Sequence, residues 1–282
     1  IKIIEPCCGS GHILVYIFDL LFDMYKESGY ETKDIPGLIL NNNLVGLDVD
    51  KRAAQLSQFA LIMKARSVDS RFFNETRLTI PHVYEIVDSQ ILFKLDFKTR
   101  LSEFGFSKKS IDIIEKLAIL FKNGKVIGSL LKVAPADYKS VIQEVEYISK
   151  NYIPNLLQTE FANQGLPLIQ KLCTLALVLS DQYDALITNP PYCGTRNIDK
   201  EAKLYFYKEY PNSKADLYTM FMQTSLVRPE GYTAMINMHS WMFISEYQKL
   251  RNDLIHGTTL YSLLQLGAHG FDSIGGEVVQ TC

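Results

Sequence analysis

The chain has 282 residues, 47% of them hydrophobic and 21% charged, which fits one large or two small soluble globular domains. A formal net charge of −2 excludes a strong general polyanion binder, so any contact with nucleic acid must come from local basic patches or from sequence outside this stretch. No apolar run reaches the roughly 18 to 20 residues that cross a bilayer and no signal peptide opens the chain, which leads us to expect a cytoplasmic protein with no membrane partner.

Residues 1–4 read as a buried strand and Glu5-Pro-Cys-Cys-Gly-Ser-Gly11 as a glycine-bearing turn. Apolar residues at helical spacing (Ile13, Tyr16, Ile17, Leu20, Leu21, Met24) predict a helix over 12–27, with Gly29 as its C-terminal cap. A short helix over 34–42, a strand over 43–48, a long helix over 51–65 and a strand over 82–87 follow. Residues 97–180 carry helical, charged patterning without a chemical motif. Helices are predicted there over 108–123, 135–151 and 159–179, as an insertion packed on the sheet that serves as a structural cap or as a partner surface.

The β-α rhythm resumes with a strand over 183–188 and a helix over 216–226. A Pro229-Glu230-Gly231 turn leads to a strand over 232–238, then a helix over 246–255 and strands over 260–266 and 278–282. Strands alternating with helices predict an α/β, doubly wound, mostly parallel sheet of seven strands with a helical insertion. The abrupt strand patterns at both ends predict a fragment of a longer protein. Five cysteines (Cys7, Cys8, Cys173, Cys193, Cys282) form no C-x-x-C pair, and we read them as reduced packing residues with no metal site.

Three short strings carry chemistry. Gly9 and Gly11 in the first turn allow a ligand to approach the backbone closely, and the acidic Glu5 suits a cationic group better than a pyrophosphate. Asp48, at the tip of the second strand, stands where doubly wound folds hold a ribose diol, while Asp50 is better placed to cap the following helix. Asn189-Pro-Pro-Tyr192 puts an amide oxygen, a carbonyl and an aromatic face at one strand end, a set suited to a planar exocyclic amine. Its plain alternative is a Pro-rich strand exit with Asn189 as a turn former.

In this order, Glu5-Pro-Cys-Cys-Gly-Ser-Gly11, Gly46-Leu-Asp-Val-Asp50 and Asn189-Pro-Pro-Tyr192 resemble motifs I, II and IV of S-adenosylmethionine-dependent amino-methyltransferases. The neighbouring runs narrow the likeness. Gly9-Ser-Gly-His-Ile-Leu-Val-Tyr16, Ala53-Ala-Gln-Leu56, His239-Ser-Trp-Met242, Leu266-Gly-Ala-His-Gly-Phe271 and Ile274-Gly-Gly-Glu-Val-Val-Gln-Thr281 resemble the PglX-type adenine DNA methyltransferases of BREX phage-defence systems. The resemblance covers nearly the whole chain and is least diagnostic in the insertion.

It implies an adenine-N6 DNA methyltransferase using S-adenosylmethionine, without a metal, on double-stranded DNA and beside other defence-system proteins. Residues 1–96 then form a cofactor-binding half, 97–180 the insertion and 181–282 a target-base half. A flanking N-terminal region and a target-recognition domain lie outside this sequence. Glu5, Pro6, Gly9 and Gly11 match the loop under the methionine part of the cofactor, Asp48 the ribose-binding acid, and Val49 the side chain against the adenine. Asp88 resembles the group that reads the adenine amine. Asn189, Pro190, Pro191 and Tyr192 match the target-amine grip, with Tyr192 and Phe271 holding the flipped base. Both aromatics have a plain alternative as core residues, and Trp241 and His239 read as packing and capping residues. Two departures are Glu5 for the usual Asp and Cys7-Cys8 for the usual Ala-Cys. Rival readings are a protein-glutamine or RNA amino-methyltransferase and a catalytically silent DNA-binding subunit.

Overall fold

The computed structural model describes residues 1–266 and Cys282. Five strands, β1 (Ile3–Glu5), β2 (Leu44–Asp48), β3 (His82–Glu85), β4 (Tyr183–Thr188) and β5 (Val227–Met235), form one parallel sheet in the order β3-β2-β1-β4-β5. The chain steps outward from β1 to β3, then returns to the far side of β1. The order therefore reverses between β1 and β4, and in open parallel sheets the crevice at the carboxyl ends beside such a reversal is where ligands bind.

Alternation along the strands builds a core on each face. Ile3, Leu44, Val83, Ala185 and Ile187 pack with α1 (His12–Glu27), α2 (Ile35–Asn42) and α3 (Lys51–Val68). Ile4, Leu47, Tyr183 and Leu186 face the other way, against helices that include Lys108–Leu120, Tyr138–Asn151 and Leu166–Ser180. In α1 the buried stripe is Leu14, Ile17, Phe18 and Leu21, the i, i+3, i+4, i+7 pattern of one helix face. Each such side chain, fully buried, contributes about 1.5–3 kcal/mol. The helix stops at Gly29, whose φ of +84° takes the left-handed turn while its N–H donates to the Lys26 carbonyl at 3.0 Å. Asp50 caps α3, accepting the Arg52 N–H at 2.7 Å.

Several expectations need correction. The described sheet has five strands rather than seven. Residues 260–266 form no strand despite their apolar pattern, and Leu260, Tyr261 and Leu264 stand exposed. The expected strand over 278–282 lies, apart from Cys282, outside the described residues. β5 starts at Val227 and runs through Pro229-Glu230-Gly231 as a bulge, with Tyr183 opposite Val227 but Ala185 opposite Tyr232. A Cβ on Gly231 would stand 2.7 Å from the Asp184 carbonyl oxygen, so the bulge requires glycine. Pro229 is tolerated because β5 is an edge strand of the described sheet. The helix expected over 216–226 shrinks to Leu217–Phe221, and Lys200–Glu209, Gln90–Lys94 and Phe97–Glu103 are helices the periodicity did not single out.

Candidate active site

β1 delivers Glu5 to the carboxyl edge of the sheet, only 2% exposed, and the chain turns over residues 6–11 into α1. Gly9 (φ +51°) and Gly11 (φ +86°) both occupy the left-handed region. A Cβ on Gly11 would also fall 2.9 Å from the Ser57 Cβ of α3, whereas Gly9 faces open space on its side-chain side. Asp48 pins the turn from the neighbouring strand. Its Oδ2 accepts the Gly9 N–H at 2.8 Å and its Oδ1 the Asp50 N–H at 2.8 Å. Each oxygen keeps a lone pair for a further donor.

Burial pushes the Glu5 carboxyl up to about 8; the Leu14 N–H opposes this and the Asp48 charge adds to it. Its Oε2 is buried with no hydrogen-bond partner. Burial likewise raises the Cys8 thiol to about 12 and the Cys7 thiol further, so both stay protonated. Asp88, beyond β3, accepts the Lys125 backbone N–H at 2.8 Å, and the Lys125 ammonium stands 2.8 Å from Glu85. Val49 is exposed beside this group.

The second turn leaves β4. Since Ile4 pairs with Leu186 and Glu5 with Gly46, Asp48 and Asn189 each emerge a short step beyond the level of Glu5, on strands either side of β1. Two strand spacings separate those strands by about 10 Å. Asn189 and Pro191 are exposed, Pro190 is buried and Tyr192 half-buried. The Tyr192 hydroxyl lies 3.0 Å from Asn189 Oδ1 and 3.0 Å from the Ile236 carbonyl, so its one proton serves two acceptors. The Tyr192 ring packs edge-to-face on buried Tyr218 at 5.9 Å, and Tyr218 in turn bonds Ser240 at 2.8 Å. Asp216 fixes the segment after Tyr192 by accepting the Cys193 N–H at 3.0 Å. Trp241 packs with Tyr218, Tyr247 and Leu250, and His239 lies edge-on to Phe243.

Four buried side-chain oxygens lack partners among the described residues: Glu5 Oε2, Ser57 Oγ, Thr188 Oγ1 and Asn237 Oδ1. All four border the two turns. Glu5 and Ser57 flank the first; Thr188 precedes Asn189, and Asn237 follows the residue whose carbonyl meets Tyr192. Orphaned buried polar atoms cost about 1–3 kcal/mol each, and these four lie along one edge of the sheet. One surface groove is lined by Asn212, Arg251 and Asp253, and another borders the first turn, lined by Ser10, His12, Leu56 and Met63.

Comparison with known proteins gives the arrangement a context. The Eco57I restriction-modification methylase family matches residues 42–271. The chain belongs to that family. It is 38% identical, over its whole length, to the adenine-specific methyltransferase BrxX of Escherichia coli O9:H4 (strain HS) and 34% identical to the adenine-specific methyltransferase PglX of Lacticaseibacillus casei (strain Zhang). It spans 25% and 23% of those relatives, about a quarter of their length. A nuclease-deletion mutant of the Type ISP restriction-modification enzyme LlaGI, solved with a DNA substrate mimic, aligns with 89% of this chain and 16% of its own at 12% identity and a TM-score of 0.47.

In this Eco57I-family chain the structure brings Glu5, Pro6, Gly9, Gly11, Asp48, Val49 and Asp88 to one side of the β1 end and Asn189, Pro190, Pro191 and Tyr192 to the other. Phe271 lies outside the described residues. Lys125, Gly128, Ser129, Asp216 and Tyr218 belong to the same neighbourhood and were missed by sequence reasoning. For Ser129 no local signal exists, because it reaches the first turn from 123 residues away. Among the described residues no helix is long and apolar enough to cross a membrane.

Proposed function

We propose that this chain is the methyl-transferring part of a DNA methyltransferase that modifies the N6 amine of a flipped adenine, with S-adenosylmethionine as donor, in a phage-defence setting. The observation that carries this reading is the pairing, across the β1 end, of an acidic turn holding the orphaned Glu5 Oε2 with an exposed Asn189 steadied by Tyr192. The donor set fits the cofactor. The Glu5 carboxyl, with its unpartnered Oε2, is available to an ammonium group, the open space over Gly9 to close approach of the ligand, and the free lone pairs of Asp48 to a ribose diol. Val49 and Asp88 flank the place left for an adenine ring. When bound, S-adenosylmethionine supplies a sulfonium methyl open to in-line displacement.

The chain's own task is alignment. The lone pair of an adenine N6 is delocalised into its ring, so the amine is a poor nucleophile. Asn189 Oδ1 and the Pro190 carbonyl accept its two protons and favour a more tetrahedral nitrogen, with the lone pair aimed along the displacement line. As the nitrogen gains positive charge its protons grow more acidic and those two hydrogen bonds strengthen. Pro190 and Pro191 hold φ fixed, which keeps the acceptors in place before the base arrives. Removing the base from a duplex costs a few kcal/mol, and stacking on Tyr192 returns about 1–3 kcal/mol.

The names of the two relatives, both adenine-specific methyltransferases, support an adenine over a protein glutamine, the restriction-modification family supports DNA over RNA, and the unbroken acceptor set supports catalysis over a silent assembly subunit. A panel of duplex DNA, RNA and peptide substrates with tritiated cofactor, run on the full-length protein, separates these. Label confined to adenine N6 in duplex DNA is expected; label in protein or RNA alone overturns the reading.

A further inference from the structure

The segment from Gly124 to Lys132, inside the helical insertion, reaches three residues on the cofactor side of the site, Pro6, Val49 and Asp88. Ser129, 3% exposed, donates its hydroxyl to the Pro6 carbonyl at 2.6 Å and so fastens the first turn. Gly128 (φ +66°) lies against the second motif, and a Cβ there would stand 3.4 Å from Val49 Cγ1. The Lys125 N–H binds Asp88 at 2.8 Å, and Gly124 is pressed against the Val87 carbonyl so closely that only glycine fits. The other end of the segment is anchored to the chain beyond Tyr192. The Leu130 carbonyl accepts the Tyr210 hydroxyl at 2.7 Å, and the Lys132 N–H donates to the Tyr205 hydroxyl at 2.7 Å.

A helical cap needs apolar contacts with the sheet, and the insertion has them through Leu117, Phe121, Val141 and Ile169. It does not need a buried hydroxyl on the motif I carbonyl, a positive-φ glycine beside Val49 and a backbone N–H on Asp88 within five consecutive residues. We propose that Gly124–Lys132 forms the outer wall of the cofactor site and that Ser129 is a positioning residue that holds the Pro6–Gly11 turn in its cofactor-binding shape. This rests on the reading of that turn as the S-adenosylmethionine site. The insertion then sets cofactor affinity in addition to covering the sheet.

The test is calorimetric titration of S-adenosylmethionine into the full-length protein, with steady-state kinetics alongside. Ser129→Ala leaves the buried Pro6 carbonyl unpaired, and Kd is expected to rise about tenfold, with kcat at saturating cofactor within about twofold of the parent. Gly128→Ala, which puts a side chain at a φ of +66° in the segment against Val49, should raise Kd by a similar factor and decides the matter if Ser129→Ala does not fold. Asp137→Ala removes the cap of the insertion helix Tyr138–Asn151 and should lower thermal stability while leaving Kd unchanged. Unchanged Kd in folded Ser129→Ala and Gly128→Ala, or an equal rise in Asp137→Ala, overturns the proposal. Asp48→Ala tells the two readings apart. If it weakens binding while the insertion variants do not, the wall is wrong; if none of them matters, the cofactor site itself is misassigned.

Discussion

The Tyr192 hydroxyl stands 3.0 Å from Asn189 Oδ1, three residues back in the same turn, and 3.0 Å from the Ile236 carbonyl beyond β5. One phenolic proton thus ties the exposed Asn189 amide to the neighbouring strand, while the edge of Tyr218 fixes the ring. Tyr192→Phe keeps the ring and loses the tether. It should slow single-turnover methyl transfer about 3- to 10-fold, the equivalent of one neutral hydrogen bond. Tyr192→Ala also loses the stacking face and should slow it at least about 100-fold. Equal rates for the two variants would show that the ring contributes nothing.

Asp48 and Asp50 stand two residues apart and do different work. Asp48→Ala removes the proposed ribose acceptor and also frees the Gly9 N–H, so S-adenosylmethionine binding should weaken by about 1.5–3 kcal/mol in calorimetry. Asp50→Ala removes the α3 cap and should cost about 0.5–2 kcal/mol of stability in a denaturant titration, with cofactor affinity preserved. An exchange of these two phenotypes would reverse the assignment.

Glu5 gives the site a pH dependence. Its folded-state value of about 8 lies above the ordinary carboxylate value of 4.5, so the folded protein holds a proton that the unfolded chain has lost. The cofactor-free protein should therefore lose stability as pH rises from about 4.5 to about 8 and change little from this group above that. Glu5→Gln should flatten that slope in thermal melts. A cationic ligand favours the ionised form, so cofactor affinity should rise with pH up to about 8, with proton release visible as a buffer-dependent heat of binding. Affinity that falls over pH 6–8 would contradict the pairing of Glu5 with a cationic group.

Gly11 is required twice, by its φ of +86° and by the Ser57 side chain behind it. Gly11→Ala should lower the midpoint of urea unfolding and weaken cofactor binding together, whereas Gly9→Ala, with open space around it, should carry the strain of its φ alone. A larger loss of stability in Gly9→Ala than in Gly11→Ala would sink this ordering.

Local chemistry made much of this legible. Apolar periods of 2 and 3.6 put β1, β2, α1, α3 and β4 within a few residues of their places, because each buries one face against a neighbour. The capping role of Asp50 was readable from its position before α3. Other features turn on tertiary context. Pro229 reads as a turn until the sheet places it in a bulged edge strand, and residues 260–266 are apolar enough for a strand yet stand exposed. The Ser129–Pro6 contact spans 123 residues, and nothing in the local pattern around Ser129 points to a partner. The Tyr192 tether depends on β5 bringing Ile236 alongside.

The most direct test is the single-turnover rate of methyl transfer by Asn189→Ala in the full-length protein on an adenine-containing duplex. In the proposed amine grip Asn189 supplies one of two preorganised acceptors, in an interaction that strengthens as the nitrogen becomes positive. The rate should fall about 10²- to 10³-fold. Cofactor affinity should stay near the parent value, because Asn189 stands on the β4 side of the β1 end and Asp48 on the β2 side. Near-native turnover in a folded Asn189→Ala protein would contradict the amine grip outright.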